Sequence, residues 1–185
     1  MPTGFQDYYS AQYGGAAAIH FSPEGIRREA LDIDLKTLEE RTVVLYTGEP
    51  RNSGINNWEI TKRHIDGDRE LFDIFEGIRD DALNLRIALL GNNWDEVGEI
   101  LKKAFPHRKR LSPMITTPHM DELIETALAN GAIAAKVCGA GGGGCIAFFC
   151  EEGRKTAVEA ALIAQPGSEV LNYNISTDGL VINVS

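Results

Sequence analysis

The sequence predicts an α+β domain in which helices lie on a mostly antiparallel sheet. Three observations carry that expectation. Thr42–Tyr46 (TVVLY) and Cys145–Cys150 (CIAFFC) are short apolar runs bounded by turn residues, as buried strands are. From Asn57 to about Pro106 the apolar positions, Leu83, Ile87 and Leu90 among them, recur at helical spacing. From Thr42 onward the elements read strand, several helices, two strands, helix, two strands, an order that suggests helices on one face of the sheet.

Each element has its own local cause. Thr3 to Gly15 is aromatic and polar and ends in paired glycines, so a short helix closed by Gly14 and Gly15 is expected. Ala16–Phe21 and Gly25–Leu31 flank Ser22-Pro23-Glu24, which is turn chemistry and predicts a hairpin. The strand over Thr42–Tyr46 stops at Thr47-Gly48-Glu49-Pro50 and feeds a loop. Gly91-Asn92-Asn93 divides the helical stretch into two helices, with Trp58 and Trp94 expected to pack cores. Thr117 followed by Pro118 supplies a helix cap and a first-turn proline, and Met120, Leu123, Ile124 and Leu128 continue an apolar face to Gly131. Ala132–Cys138 reads as a strand, Gly139–Gly144 as a glycine-rich loop, and Gly153–Ala164 as a helix. Strands are then expected near Glu169–Ile175 and Leu180–Val184, around Thr177-Asp178-Gly179.

The 185 residues are 43% apolar and 24% charged, the range of a soluble globular chain able to bury a core. A net charge of -9 argues against a general nucleic-acid binder, which needs a basic face to displace counterions. An acidic chain can still hold a phosphorylated metabolite through backbone amides and one or two arginines. Cys138, Cys145 and Cys150 match no zinc spacing and read as reduced thiols, two of them in apolar runs, so a cytoplasmic location is expected. His20, His64, His107 and His119 are scattered singly, which favours structural or surface roles. The opening MPTGFQD lacks the charged and apolar regions of a signal peptide, and no apolar stretch approaches the ~20 residues of a membrane span.

The strongest chemical signal is Lys136-Val137-Cys138-Gly139-Ala140-Gly141-Gly142-Gly143-Gly144-Cys145. Consecutive glycines admit positive φ and let N–H groups approach an anion, the way a phosphate nest is built; a tight crossover that needs glycine only for close packing is the alternative. Gly139, Gly141 and Gly144 also satisfy G-x-G-x-x-G. That fingerprint requires a helix directly after the loop, and here a strand-like run follows. No Walker sequence is present.

These residues resemble the third motif of the GHMP kinases, the superfamily of galactokinase, homoserine kinase, mevalonate kinase and phosphomevalonate kinase; Gly139, Ala140, Gly141, Gly142 and Gly143 match it position by position. Gly4-Phe5-Gln6-Asp7, followed by Tyr13-Gly14-Gly15, is similar to the family segment written G-x-x-D-Q, with Tyr8 where many members carry Gln. The stretch from Thr47 to Glu59, continuing through Lys62-Arg63 and Asp66-Gly67-Asp68, resembles the branch that includes D-glycero-D-manno-heptose 7-phosphate kinase. The resemblance implies a ferredoxin-like C-terminal domain over residues 41–185 with extra helices, preceded by a remnant of the N-terminal catalytic domain over residues 1–40. It implies Asp7 as catalytic base, residues 139–143 facing the phosphates of ATP, and Mg2+ as companion ion, both cofactors expected only in the complete enzyme. Lys136 is a possible support beside the loop, or a solvated lysine at a strand end. Gly4, Arg51 and Ser53 are candidate contacts to a sugar or sugar-phosphate substrate; a solvated arginine and a helix cap at Ser53 explain the latter two equally well.

The family's second motif, P-x-x-x-G-L-G-S-S-[SA], does not occur in the sequence. The resemblance therefore implies a partner: an N-terminal kinase half that holds most of the ATP, without which this chain is expected to have little or no turnover. Apolar surface left by that half predicts a homodimer through residues 1–31. A non-catalytic ligand-binding or self-associating module derived from such a kinase is the alternative reading.

Overall fold

The computed structural model describes residues 6–50 and 53–182, apart from the side chains of Gln6 and residues 53–56. Gly4 and Arg51 lie outside the described residues, and Ser53 opens a helix with its side chain undescribed.

Helix α1 (Gln6–Tyr13) ends where Gly14 and Gly15 both take left-handed φ, 62° and 63°. The turn after it feeds β1 (Ala17–Ser22) and β2 (Gly25–Ala30), an antiparallel hairpin that forms a two-stranded sheet of its own. Hydrogen bonds from distant segments hold this unit to the rest of the chain. Gly15 N–H donates to the Ser176 carbonyl at 2.8 Å, and Arg86 reaches across to the Glu29 carboxylate. A short helix missing from the sequence-based expectation, α2 (Leu35–Glu40), is capped by the Asp34 carboxylate, which accepts from Thr37 N–H.

The main sheet contains β3 (Thr42–Tyr46), β4 (Ala132–Val137), β5 (Cys145–Cys150) and β6 (Glu169–Leu171), ordered β4-β5-β3-β6 and antiparallel throughout. That order is what a βαββαβ chain gives when its two halves interleave, the ferredoxin-like arrangement. Alternation along the strands sends Val43, Leu45, Ile146, Phe148 and Cys150 to one face, where they pack beneath α6 (Pro118–Ala129) and α7 (Lys155–Ile163). Phe148, Leu45 and Ile146 are fully buried there.

The sequence led us to expect helices on one face only, and the extra helices correct this. Phe149 and Ala134, on the opposite face, pack with Ala88 of α4 (Arg69–Leu90) and Val97 of α5 (Trp94–Lys109). Gly98 makes the approach of α5 possible, since a Cβ there would stand 3.1 Å from the Ile133 side chain. The helical stretch is also three helices rather than two. α3 (Ser53–Ile65) stops at Gly67, which takes φ 77°, and Asp68 caps α4 while pairing with Arg63 at 2.7 Å.

Leu83, Ile87 and Leu90 mark the wrong face of α4: they are 48, 61 and 40% exposed, and its buried residues are Leu71, Ile74 and Ala88. Trp58 is 62% exposed and fills no core, whereas Trp94 stacks on Phe149. The strand expected over Glu169–Ile175 shortens to β6, and residues 172–182 form no regular strand. They are tied down instead by single bonds, Tyr173 Oη to the Thr42 carbonyl at 2.9 Å and Leu180 N–H to the Gln12 carbonyl at 3.0 Å.

Candidate functional site

The glycine loop is the connection between β4 and β5, and its geometry needs glycine. Gly139, Gly141, Gly142, Gly143 and Gly144 all take φ between 68° and 130°, a region that L side chains rarely adopt. Gly141 and Gly143 are buried because the loop is pressed between two others. A Cβ on Gly141 would meet the Ile115 carbonyl oxygen at 2.6 Å, and one on Gly143 would meet the Glu49 carbonyl oxygen at 2.9 Å. The same neighbours fix the loop by hydrogen bonds: Gly142 N–H donates to Ile115 and Gly144 N–H to Glu49. Among the described residues, the N–H groups of Gly139, Gly141 and Gly143 have no acceptor. Close packing therefore accounts for glycine at 141 and 143, while three N–H groups of the same turn remain without an acceptor among the described residues.

Beside the loop, β4 and the end of α5 bring two cations together. Arg108 donates from Nη2 to the Gly139 carbonyl, and its Nε is buried without a partner among the described residues. Burial holds the Arg108 guanidinium below its ordinary value, with Cys138 acting the other way. Lys136 keeps exposed area, yet its surroundings still disfavour its charge: burial first and Arg108 second lower its pKa, while Cys138 and Asp7 oppose them. The Cys138 thiol is pushed up by burial, and Cys150, fully buried, is pushed up to about 11. Both shifts disfavour the reactive thiolate.

Asp7 is exposed on α1, and its carboxylate is near enough to Lys136 to raise that ammonium's pKa. The fold therefore brings Asp7 within electrostatic reach of Lys136, more than a hundred residues away in sequence and adjacent to the glycine turn. Arg51 and Gly4 fall outside the described residues, and nothing places the Ser53 side chain. Sequence reasoning missed Arg108. Its signal was the His107-Arg108-Lys109-Arg110 cluster at a helix end, which by itself only complements the helix dipole. It also missed a cleft of about 180 Å³ between α4, α5 and β4, walled by Ile78, Leu85, Leu101 and Phe105, with Asp81, Arg108 and Lys136 in its lining.

The histidines fall into structural roles. His20 bonds Glu29 at 2.8 Å, His107 bonds Asp81 at 2.7 Å, and His64 packs on the Phe72 ring.

The turn between the second and third strands of this ferredoxin-like sheet thus carries three glycine N–H groups that lack an acceptor among the described residues. Comparison with known proteins points the same way: residues 85–168 match the model described as GHMP kinases C terminal. The chain is 27% identical, over 181 residues, to D-glycero-alpha-D-manno-heptose 7-phosphate kinase of Campylobacter jejuni, covering 96% of this chain and 52% of that protein. Two solved structures share the fold. L. major mevalonate kinase in complex with R-mevalonate has a TM-score of 0.73 at 15% identity, over 89% of this chain and 50% of that one. Lactococcus lactis galactokinase complexed with galactose has a TM-score of 0.71 at 18% identity, over 97% of this chain and 56% of that one. The chain thus spans about half the length of these relatives.

Whether the residues fit ATP and magnesium can be tested on the site itself. Three N–H groups without an acceptor among the described residues and two adjacent cations are donors of the kind a polyphosphate takes. Among the described residues no group of three or more His, Cys, Asp or Glu is placed to hold a metal ion. Magnesium needs only one or two protein carboxylates when nucleotide phosphates supply the rest, and Asp7 stands within electrostatic reach of Lys136 beside the loop.

Proposed function

We propose that this chain is the C-terminal half of an ATP-dependent small-molecule kinase that phosphorylates a hydroxyl of a sugar or sugar phosphate. The observation that carries the reading is the β4–β5 turn, where Gly139, Gly141 and Gly143 keep N–H groups unshared while Gly142 and Gly144 anchor the loop. Fixed donors of this kind need no reorganisation when charge develops on a phosphoryl group.

In this reading Asp7 accepts or orients the proton of the attacking hydroxyl, with Lys136 within its electrostatic reach. ATP with Mg2+ supplies the transferable phosphoryl group when bound. Residues 139–143 face its phosphates, and Gly4, Arg51 and Ser53 contact the substrate. An N-terminal half provides most of the nucleotide contacts, so the chain alone turns over slowly or not at all. Residues 1–40, whose hairpin forms a separate sheet, belong with that half, and residues 41–185 form the C-terminal domain. The acidic charge sets nucleic acid aside as a partner. Among the described residues no helix is long and apolar enough to cross a membrane, and we assign the protein to the cytoplasm.

The test is a kinase assay with Mg·ATP over hexoses, heptose 7-phosphate and mevalonate-type acceptors. It is run on the chain alone and with the separately expressed N-terminal half of the Campylobacter heptose kinase. We expect turnover only in the complemented sample, falling by at least a thousandfold on Asp7→Ala; about 10²–10⁴-fold is the usual contribution of a positioned base. Turnover in neither sample, over every acceptor, sinks the kinase reading. It would favour a self-associating module, which the exposed Tyr8, Tyr13, Phe21 and Ile26 of residues 1–31 support.

A further inference from the structure

Among the described residues, the cleft between α4, α5 and β4 is lined by two cations, and its one carboxylate is engaged by a histidine. Arg108 gives Nη2 to the Gly139 carbonyl and leaves its buried Nε unpartnered among the described residues. Lys136, whose charge is disfavoured by burial and by Arg108, has no hydrogen-bond or ion-pair partner among the described residues. Asp81, the carboxylate in the same lining, is taken by His107 at 2.7 Å. Asp7 reaches Lys136 only through its field.

Like charges held together beside apolar walls repel one another more strongly than in water, and they raise the local potential for an anion. Ile78, Leu85, Leu101 and Phe105 make the cleft a poor place for water to screen them. Packing gives no reason for the arrangement, since Lys136 keeps exposed area and fills no core. The unused Arg108 Nε and the Lys136 ammonium are donors that match the oxygens of a terminal phosphate group.

We infer that Arg108 and Lys136 form an oxyanion-binding pair that takes the terminal phosphate group of a phosphorylated ligand, with the rest of the ligand lying along the adjoining apolar cleft. This site differs from the glycine turn: it uses side-chain cations, and Arg108 couples the two by gripping the Gly139 carbonyl. The inference rests on the kinase reading only for the source of the phosphate, which is either one already carried by the acceptor or the terminal phosphate of the nucleotide.

Calorimetric titration of the whole chain separates these possibilities. The probes are glucose 6-phosphate, glucose and Mg·AMP-PNP. The variants are Arg108→Gln, Lys136→Gln and, as a control, Arg110→Gln, whose guanidinium pairs with Glu70 at the surface. We expect glucose 6-phosphate to bind the parent chain and to lose at least tenfold in affinity in each cleft variant, with glucose and the control unchanged. Lys136→Arg should keep most of the affinity. If Arg108→Gln fails to fold by circular dichroism, Arg108→Lys, which keeps the charge and loses the fork, should show the same loss. A loss confined to Mg·AMP-PNP would uphold the pair and assign the phosphate to the nucleotide. Unchanged affinities in both cleft variants, or no binding of either phosphate ligand to the parent chain, would overturn the inference. Asp7→Ala abolishes turnover in the complemented assay if the kinase reading holds and leaves phosphate affinity intact, so either idea can fail without the other.

Discussion

At the scale of single residues, the glycine turn makes a contrast that can be measured. Gly141 and Gly153 both take positive φ, 87° and 72°, so alanine at either position carries backbone strain of about 1 kcal/mol. Only Gly141 is also sterically closed, with a Cβ 2.6 Å from the Ile115 carbonyl oxygen, whereas nothing stands within 4 Å of a Cβ on Gly153. Overpacking against backbone adds about 2 kcal/mol. Gly153→Ala should therefore lower Tm by about 2–4 °C and Gly141→Ala by about 6–12 °C, as a chain of this length loses a few degrees per kcal/mol. Equal shifts in scanning calorimetry would mean that the loop adjusts away from Ile115 and that close packing is not what selects glycine there. The run of glycines was legible in the sequence as a feature. The division of labour within it was not, because that depends on Ile115 and Glu49, which approach from distant segments.

Single elements show where local pattern runs out. The hairpin was readable from Ser22-Pro23-Glu24, and the capped start of α6 from Thr117-Pro118, because turns and caps are set by neighbouring residues. The buried face of α4 was not: Leu83, Ile87 and Leu90 have helical spacing, but what packs on α4 is decided by α5 and the sheet. Leu180–Ile182 likewise has strand composition but forms no strand, and Leu180 N–H donates to the Gln12 carbonyl instead. What joins the hairpin to α4 is equally invisible in sequence, since Glu29 receives both Arg86 and His20. The Arg86 guanidinium first and His20 second hold the Glu29 carboxyl down to about 2 from 4.5. A depressed acid contributes its stabilisation in full above the unfolded value and loses it as pH falls. The tie should thus be intact above pH 4.5, weaken between 4.5 and about 2, and be gone below that. A carboxyl carbon-13 titration of Glu29 should show a midpoint near 2, moving toward 4.5 in Arg86→Ala. A midpoint near 4.5 in the parent protein would show that the pair does not form in solution.

For the whole molecule, the question is what the exposed apolar residues of the first thirty-one positions meet. Phe21 and Ile26 are directly paired across the hairpin, so they present one apolar face, and both are exposed. α1 adds Tyr8 and Tyr13, also exposed. A chain of net charge -9 resists nonspecific association, so these exposed apolar residues favour a defined contact over aggregation. In the kinase reading that face meets the N-terminal half. In its absence a second copy is the available occupant, and the exposed edges of a two-stranded sheet make strand exchange a further route. Sedimentation equilibrium should then show a dimer at tens of micromolar protein that is insensitive to salt, because the contact is apolar. Phe21→Glu with Ile26→Glu should shift it to monomer, since two charges per chain would have to be desolvated at the contact. Adding an N-terminal half should displace the dimer without any mutation. A monomeric parent chain would remove the homodimer from the account, while a dimer that survives the double substitution would place the contact on another surface, with the exposed Leu83, Ile87 and Leu90 of α4 the next to replace.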